Sequence, residues 1–317
     1  MPATPASYLD PKVLQKISRM DLRARLVVEG FITGMHRSPY HGFAVEFASH
    51  REYVPGDEIK HIDWKVWARQ DRLYIKEYEE ETNLKCTVLL DCSKSMAYGG
   101  GGHPGYGGGH APRHAPWSKF AYAATTAASL AFLLQHQQDA AGLIAFDRGV
   151  RLKLPASSHP AHFKQLLHEL QHLEPDQASD VSGVFHRLAE EITQRGLIVL
   201  VSDLFVDLPT LLASLRHFRH RRHEVIVFHV LHEDELTFPF EDNTLFKGLE
   251  QPVEVLSEPR ALRRSYLEVL GTFLARVRKT CADLGIDYVR LSTADPLDAS
   301  LAAYLAFRMR TARGRRK

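Results

Sequence analysis

Cysteine is scarce. Cys86, Cys92 and Cys281 are the three in 317 residues, odd in number and without Cys-x-x-Cys spacing. A disulfide framework is therefore excluded, and reduced thiols of a cytosol are implied. Long apolar runs are missing too. None approaches the roughly 20 residues that span a bilayer, and Met1-Pro2-Ala3-Thr4-Pro5 lacks the basic-then-apolar layout of a secretory signal. The expected location is the cytoplasm. Charge of one sign is also lacking: 40 Lys and Arg against 38 Asp and Glu leave a formal +2, which provides no global pull toward nucleic acid or membrane. No phosphate-binding loop is present, because the glycine-rich run Gly99–Pro116 contains no lysine.

What remains is the composition of an ordinary globular protein, 44% hydrophobic and 25% charged, long enough for one large core plus an extension. Its most informative stretch is Lys85-Cys86-Thr87-Val88-Leu89-Leu90-Asp91-Cys92-Ser93-Lys94-Ser95-Met96. The first half is apolar without alternation, as in a strand buried on both faces of a parallel sheet. It breaks into Asp91, Ser93 and Ser95, oxygen-bearing side chains at alternate positions that lean the same way at a strand end. A carboxylate and two hydroxyls suit a hard cation such as Mg²⁺, or Mn²⁺ in its place. Leu197–Asp203 repeats the pattern, an apolar run ending in a carboxylate, and Ser179-Asp180-Val181-Ser182-Gly183 sets hydroxyls before a helical stretch. An open α/β sheet binds ligands outside the carboxyl ends of its strands, where these three loops can meet.

Taken in order, the chain reads as helical up to about Arg37, with Asp10-Pro11 as cap and first turn. A dense mixture of charge and aromatics follows from Glu46 to Arg69, with a turn at Pro55-Gly56-Asp57. Leu73–Glu79 alternates and is expected as an antiparallel neighbour of the central strand. Beyond the glycine-rich loop, helices are predicted over Ser118–His136, His162–Leu173, Val184–Ile192, Leu208–Phe218 and Pro259–Leu284, with a last one ending near Arg310. Strands are predicted at Gly142–Phe146, Val150–Leu154, Leu197–Asp203, Glu224–Leu231 and Ile286–Leu291, and an aperiodic acidic and aromatic loop at Glu233–Gly248. Such alternation predicts an α/β fold, a doubly wound, mostly parallel sheet. The domain reading is an N-terminal extension over residues 1–82, the sheet domain over 83–310 carrying the loop 99–116, and a basic tail over 311–317.

The three oxygen-bearing loops resemble the metal-ion-dependent adhesion site of von Willebrand factor A domains, a fold of Rossmann-like type. The resemblance implies Asp91, Ser93, Ser95, Ser179 and Asp203 as metal ligands. Ser179 stands where that family has Thr, with Ser182 a rival, and Leu204 stands where Gly is common. A second set of motifs occurs in order: Arg-x-Tyr-x-Pro-Gly-Asp at Arg51–Asp57, Ile-Asp-Trp at Ile62–Trp64, Ala68-Arg69, and Asp-x-Ser-x-Ser-Met at Asp91–Met96. Together they resemble the domain-of-unknown-function fifty-eight family over roughly residues 30 to 310, a family associated with MoxR-type AAA+ ATPases. The resemblance implies such an ATPase, with an unknown client protein, as partners. Arg51, Tyr53, Asp57, Asp63, Trp64 and Arg69 either form a partner surface or weld the segment onto the sheet.

The favoured function is a non-enzymatic, metal-dependent binding module, an adaptor or co-chaperone taking a partner carboxylate on Mg²⁺. Enzyme readings fail on particular residues. Cys92 has Tyr98 where a tyrosine-phosphatase loop needs Arg, and Ser93 and Ser95 lack the flanking glycines of a hydrolase elbow. A Mg²⁺-dependent phosphohydrolase using Asp91 is the surviving enzyme alternative, although Ser93 replaces the acidic group such chemistry wants. The clusters Arg216–His223 and Arg308–Lys317 offer a nucleic-acid alternative without any recognition motif. A helix C-terminus and a solvated tail account for them. His103, His110 and His114 in the glycine-rich loop lack regular ligand spacing.

Overall fold

Residues 44–52, 66, 74–81, 84–99, 117–177, 181–192 and 194–314 are described by a computed structural model of the chain. The chain divides into two units, one spanning Arg37–Leu84 and one containing Lys85–Lys317.

In the first unit, β1 (Ala44–Glu52) pairs antiparallel with β2 (Tyr74–Glu81), with a register shift between Phe47 and Ser49. This corrects the sequence expectation that the Leu73–Glu79 strand flanks the central strand. The reason is physical: β3 (Lys85–Asp91) has parallel partners on both edges and no edge left to offer. The alternating pattern of β2 suits a two-stranded ribbon better than a site covered on both faces.

The second unit holds a six-stranded sheet. Its strands are β3, β4 (Ala140–Phe146), β5 (Val150–Ser157), β6 (Leu197–Ser202), β7 (Glu224–Leu231) and β10 (Asp287–Ser292), in the order β10-β7-β6-β3-β4-β5. Every pairing is parallel except β4 with β5, the hairpin expected across Asp147-Arg148-Gly149. The sequence expectation of an α/β, mostly parallel sheet holds.

Strands that read as unbroken apolar runs are the ones buried on both faces. On one side Leu89, Ile144, Ile198, Leu200, Val225 and Val227 pack into a core with α3 (Val181–Glu191), α4 (Leu208–His220) and α6 (Pro259–Asp283). Phe185 of α3 stacks edge-on with Phe146 and with Phe218 of α4, at centroid distances of 5.1 and 5.8 Å. Strand alternation sends Val88, Leu90, Leu143, Val199, Val201 and Phe228 the other way, and they too are buried. That face is covered by α1 (Lys119–His136), whose alanines allow close approach, and by α7 (Leu297–Gly314), whose Tyr304 meets Phe228. The helix α2 (Pro160–His172) packs beside α1. Ser118 and Asp207 cap α1 and α4 by accepting the amides of Ala121 and Thr210, the caps short oxygen side chains make best. At Gly196, just before β6, a Cβ would fall 2.4 Å from the carbonyl oxygen of Lys85, so only glycine permits the approach.

The segment expected as an aperiodic loop is ordered. It contains α5 (Glu233–Thr237) and β8 (Thr244–Lys247), which pairs antiparallel with β9 (Glu254–Ser257). Elements this short show no period, and the capping box of α5 uses His232 in place of Ser or Thr, with Glu235 closing it. Helix α7 runs to Gly314, past the expected end near Arg310. Among the described residues no helix is long and apolar enough to cross a membrane.

Candidate metal centre

From β3 the chain moves to β4 on one side, and it later returns to β6 on the other. Adjacent parallel strands whose connections leave in opposite directions open a crevice at their carboxyl ends. Asp91 is the last residue of β3, and Asp203 follows the last residue of β6. The strands run in register, Leu90 beside Val201, so topology delivers both carboxylates to this crevice.

The hydrogen bonds complete the cluster. Asp91 Oδ1 accepts the Ser93 amide at 2.9 Å, and Oδ2 accepts the Ser202 hydroxyl at 2.5 Å. The Ser93 and Ser95 hydroxyls lie 3.1 Å apart, and the Ser95 side chain helps to lower the Asp203 pKa. Asp203 Oδ1 accepts the Phe205 amide at 3.1 Å, while Oδ2 receives the Lys119 ammonium at 2.7 Å. Exposures of 1% for Asp91 and 5% for Asp203 mean that neither charge is left to water, so each requires partners inside the protein.

Charge in the cluster is unevenly compensated. Lys119 bridges Asp203 and Glu235, at 2.7 Å from each. Burial disfavours its charge, but the two carboxylates hold its pKa above the ordinary range. Burial likewise pushes Asp203 up, and the Lys119 charge and hydrogen bond bring it below the usual carboxylate range. Among the described residues Asp91 has no cation of its own. Burial, then the Asp203 charge, pushes it up to about 7, against hydrogen bonds from Ser202 and Ser93. His229, beneath the site, is pushed down to about 4 by burial. Its Nε2 faces the Asp203 carbonyl at 2.8 Å, so that nitrogen donates and Nδ1 accepts from the Tyr288 hydroxyl.

Of the ligands expected from sequence, Asp91, Ser93, Ser95 and Asp203 come together. Ser179 lies outside the described residues, and Ser182 falls in the first turn of α3. Arg51 lies in β1, whereas Tyr53, Asp57, Asp63, Trp64 and Arg69 lie outside the described residues. Sequence reasoning missed Lys119, Ser202, Glu235 and Glu250, whose carboxylate accepts the Ser95 amide at 3.3 Å. A signal for Lys119 existed. It is the sole Asp, Glu, Lys or Arg in α1 and sits at the helix N-terminus, where the macrodipole disfavours a cation; such a lysine needs carboxylates.

The donor set fits a hard divalent cation: the Asp91 and Asp203 carboxylates and the Ser93 and Ser95 hydroxyls gather at the carboxyl ends of β3 and β6. Among the described residues no three His, Cys, Asp or Glu side chains gather as a ligand set, so a cation here would rest on hydroxyls as well as carboxylates. Cys92 is a poor nucleophile candidate. Burial, then Asp147, pushes its thiol up to about 12, and Sγ donates to the Phe146 carbonyl at 3.1 Å.

Fold and site thus define an α/β protein with a carboxylate–hydroxyl centre at the turning point of its sheet. A family model described as "Protein of unknown function DUF58" matches residues 49–271, and the chain belongs to that family. Uncharacterized proteins of Mycobacterium tuberculosis and Mycobacterium bovis are 23% identical over 308 residues, covering 96% of this chain and 92% of theirs. Among solved structures, the conserved hypothetical protein BatB from Bacteroides thetaiotaomicron is 14% identical, with a TM-score of 0.45 over 71% of this chain and 98% of that one. An aerotolerance-related membrane protein from Bacteroides fragilis is 16% identical, with a TM-score of 0.46 over 70% and 96%.

Proposed function

We propose that this chain is a non-enzymatic binding module of von Willebrand A type, in which Asp91, Ser93, Ser95 and Asp203 hold Mg²⁺ or Mn²⁺. Ser179 is the proposed ligand from the middle loop. The cation would offer an open position to a carboxylate of a partner protein. The observation that carries this reading is the meeting of Asp91, Ser93, Ser95 and Asp203 at one crevice, with Asp91 pushed up to about 7. Lys119 pairs with both Asp203 and Glu235, whereas Asp91 has no such cation among the described residues. The family resemblance suggests the partner, a MoxR-type AAA+ ATPase, for which the chain would act as a cytoplasmic adaptor or co-chaperone of an unknown client.

A phosphohydrolase using Asp91 remains the enzyme alternative. A serine at position 93, where such chemistry wants an acidic group, weighs against it. Nucleic-acid binding loses ground because Arg219 donates to the carbonyls of Leu284 and His223, and Arg308 pairs with Glu224 and Asp287.

The test is thermal unfolding with Mg²⁺ or with EDTA, followed by pull-down in both. Mg²⁺ at about 100 times its Kd should add about 2.7 kcal/mol, a rise of roughly 5 °C or more in Tm. Asp91→Ala should abolish the rise and weaken the capture to the level seen in EDTA, while the chain stays folded. Capture as strong in excess chelator as in Mg²⁺ overturns the proposal, and Mg²⁺-dependent turnover of a phosphomonoester would favour the enzyme.

A further inference from the structure

Glu250 reaches the hydroxyl cluster from outside the sheet. It sits in the turn between β8 and β9, and its Oε1 accepts the backbone amide of Ser95 at 3.3 Å, across 155 positions of sequence. The turn that carries it is built for a fixed shape. The Gly248 amide donates to the Val253 carbonyl and the Val253 amide to the Gln251 carbonyl, each at 2.7 Å. A Cβ on Gly248 would lie 2.4 Å from the Gln251 carbonyl oxygen. Behind the turn, Phe246 stacks on Phe238, which meets Tyr266 of α6 at a centroid distance of 4.6 Å. The arm is therefore anchored at its base.

Burial does not explain why its tip lies at Ser95. Val253, Val255 and Leu256 remain 49, 50 and 72% exposed, so the hairpin gains little apolar contact by reaching there. A bond of 3.3 Å is at the long end for N–H···O. Glu250 also carries the same functional group as the ligand in the proposed function.

We propose that Glu250 is an intramolecular occupant of the partner carboxylate's place, so that the β8–β9 arm must withdraw before an outside acid binds. This rests on the reading of the site as a carboxylate-binding metal centre. An arm seated about nine-tenths of the time lowers apparent affinity for an outside carboxylate about tenfold. Release of the arm by a partner would then act as a switch on that affinity.

The experiment uses the full chain, calorimetry with Mg²⁺ and a fluorescent poly-aspartate peptide as the probe. In Mg²⁺, Glu250→Gln and Glu250→Ala are expected to bind the peptide about tenfold more tightly than the wild type, and all three lose it in EDTA. Glu254→Gln, which removes the same charge from the same hairpin, leaves affinity unchanged. Amide exchange over 248–253 in the wild type rises when the peptide is added. Equal Mg²⁺-dependent affinity in all the chains overturns the arm and leaves the metal centre standing. Tightening that persists in EDTA, or that Glu254→Gln reproduces, also overturns the arm, since it reports charge alone. If no chain binds Mg²⁺, or if Mg²⁺ binds and no chain takes the peptide, the site reading falls and the arm falls with it.

Discussion

Asp91 is the residue on which the site's electrostatics turn. Its folded pKa of about 7 lies above the ~3.9 of an unfolded aspartate. Between those values the native chain holds a proton that the unfolded chain has released, so Asp91 lowers stability as pH rises from about 4 to about 7. His229, held near 4 by burial, acts in the opposite sense, because the unfolded imidazole takes a proton below about 6.5 that the native one refuses. A comparison of two chains that share His229 cancels that contribution. In EDTA, Asp91→Asn should therefore gain on the wild type by roughly 1–3 kcal/mol on going from pH 5 to pH 8, measured by urea unfolding. Saturating Mg²⁺ should reverse the gain at pH 8 by stabilising only the wild type. A parallel pH dependence of the two chains would show that Asp91 is ionised and paired without a cation. Asp91, Ser93, Ser95 and Asp203 were legible in the sequence because strand endings announce them. Lys119 announced its need for a carboxylate but not which one, and Glu250 announced nothing, since the groups they touch stand 84 and 155 positions away and no local spacing encodes such a meeting.

Among elements, legibility followed length and burial. Unbroken apolar runs mark β3, β4, β6 and β7, a helical period marks the long helices, and the structure places these elements where those patterns predict. Helix α5 and the strands β8 and β9 escaped because five and four residues give no repeat to detect. What orders them is a cluster of Phe238, Phe240, Phe246 and Tyr266, with Arg263 donating to the Phe238 carbonyl at 2.8 Å. This cluster lies apart from the core between sheet and helices, so it should fail alone. Phe238→Ala, a truncation that costs about 3–5 kcal/mol in a full core, is expected to speed amide exchange over Thr244–Ser257 and leave β3 and β6 protected. Exchange quickening equally in β3 would mean that the arm and the sheet unfold as one. The mispaired β2 teaches a related lesson: alternation identified a strand correctly but could not say which edge was free to receive it.

At the scale of the whole molecule, the proposed division of labour follows the chain's two units. The centre built on Asp91 and Asp203 belongs to the unit containing Lys85–Lys317, whereas Arg51 through Arg69 belong to Arg37–Leu84, and the family model matches across both. If the motif faces the ATPase and the centre faces an acidic group, the two contributions to capture are independent and their free energies add. Trp64→Ala and Arg69→Ala should each weaken capture of a MoxR-type ATPase by about tenfold, in the range expected for aromatic and arginine anchors, while the Mg²⁺-induced rise in Tm stays at its wild-type size. Asp91→Ala should remove that rise, and the double variant Arg69→Ala with Asp91→Ala should lose capture by the product of the single losses. A double variant no weaker than the worse single one would mean that the motif and the metal centre serve a single contact. A Tm response that vanishes in Arg69→Ala would instead make the motif part of what holds the cation site in shape. Capture measured by surface plasmon resonance in Mg²⁺ and in EDTA, together with the melting curves, separates these outcomes.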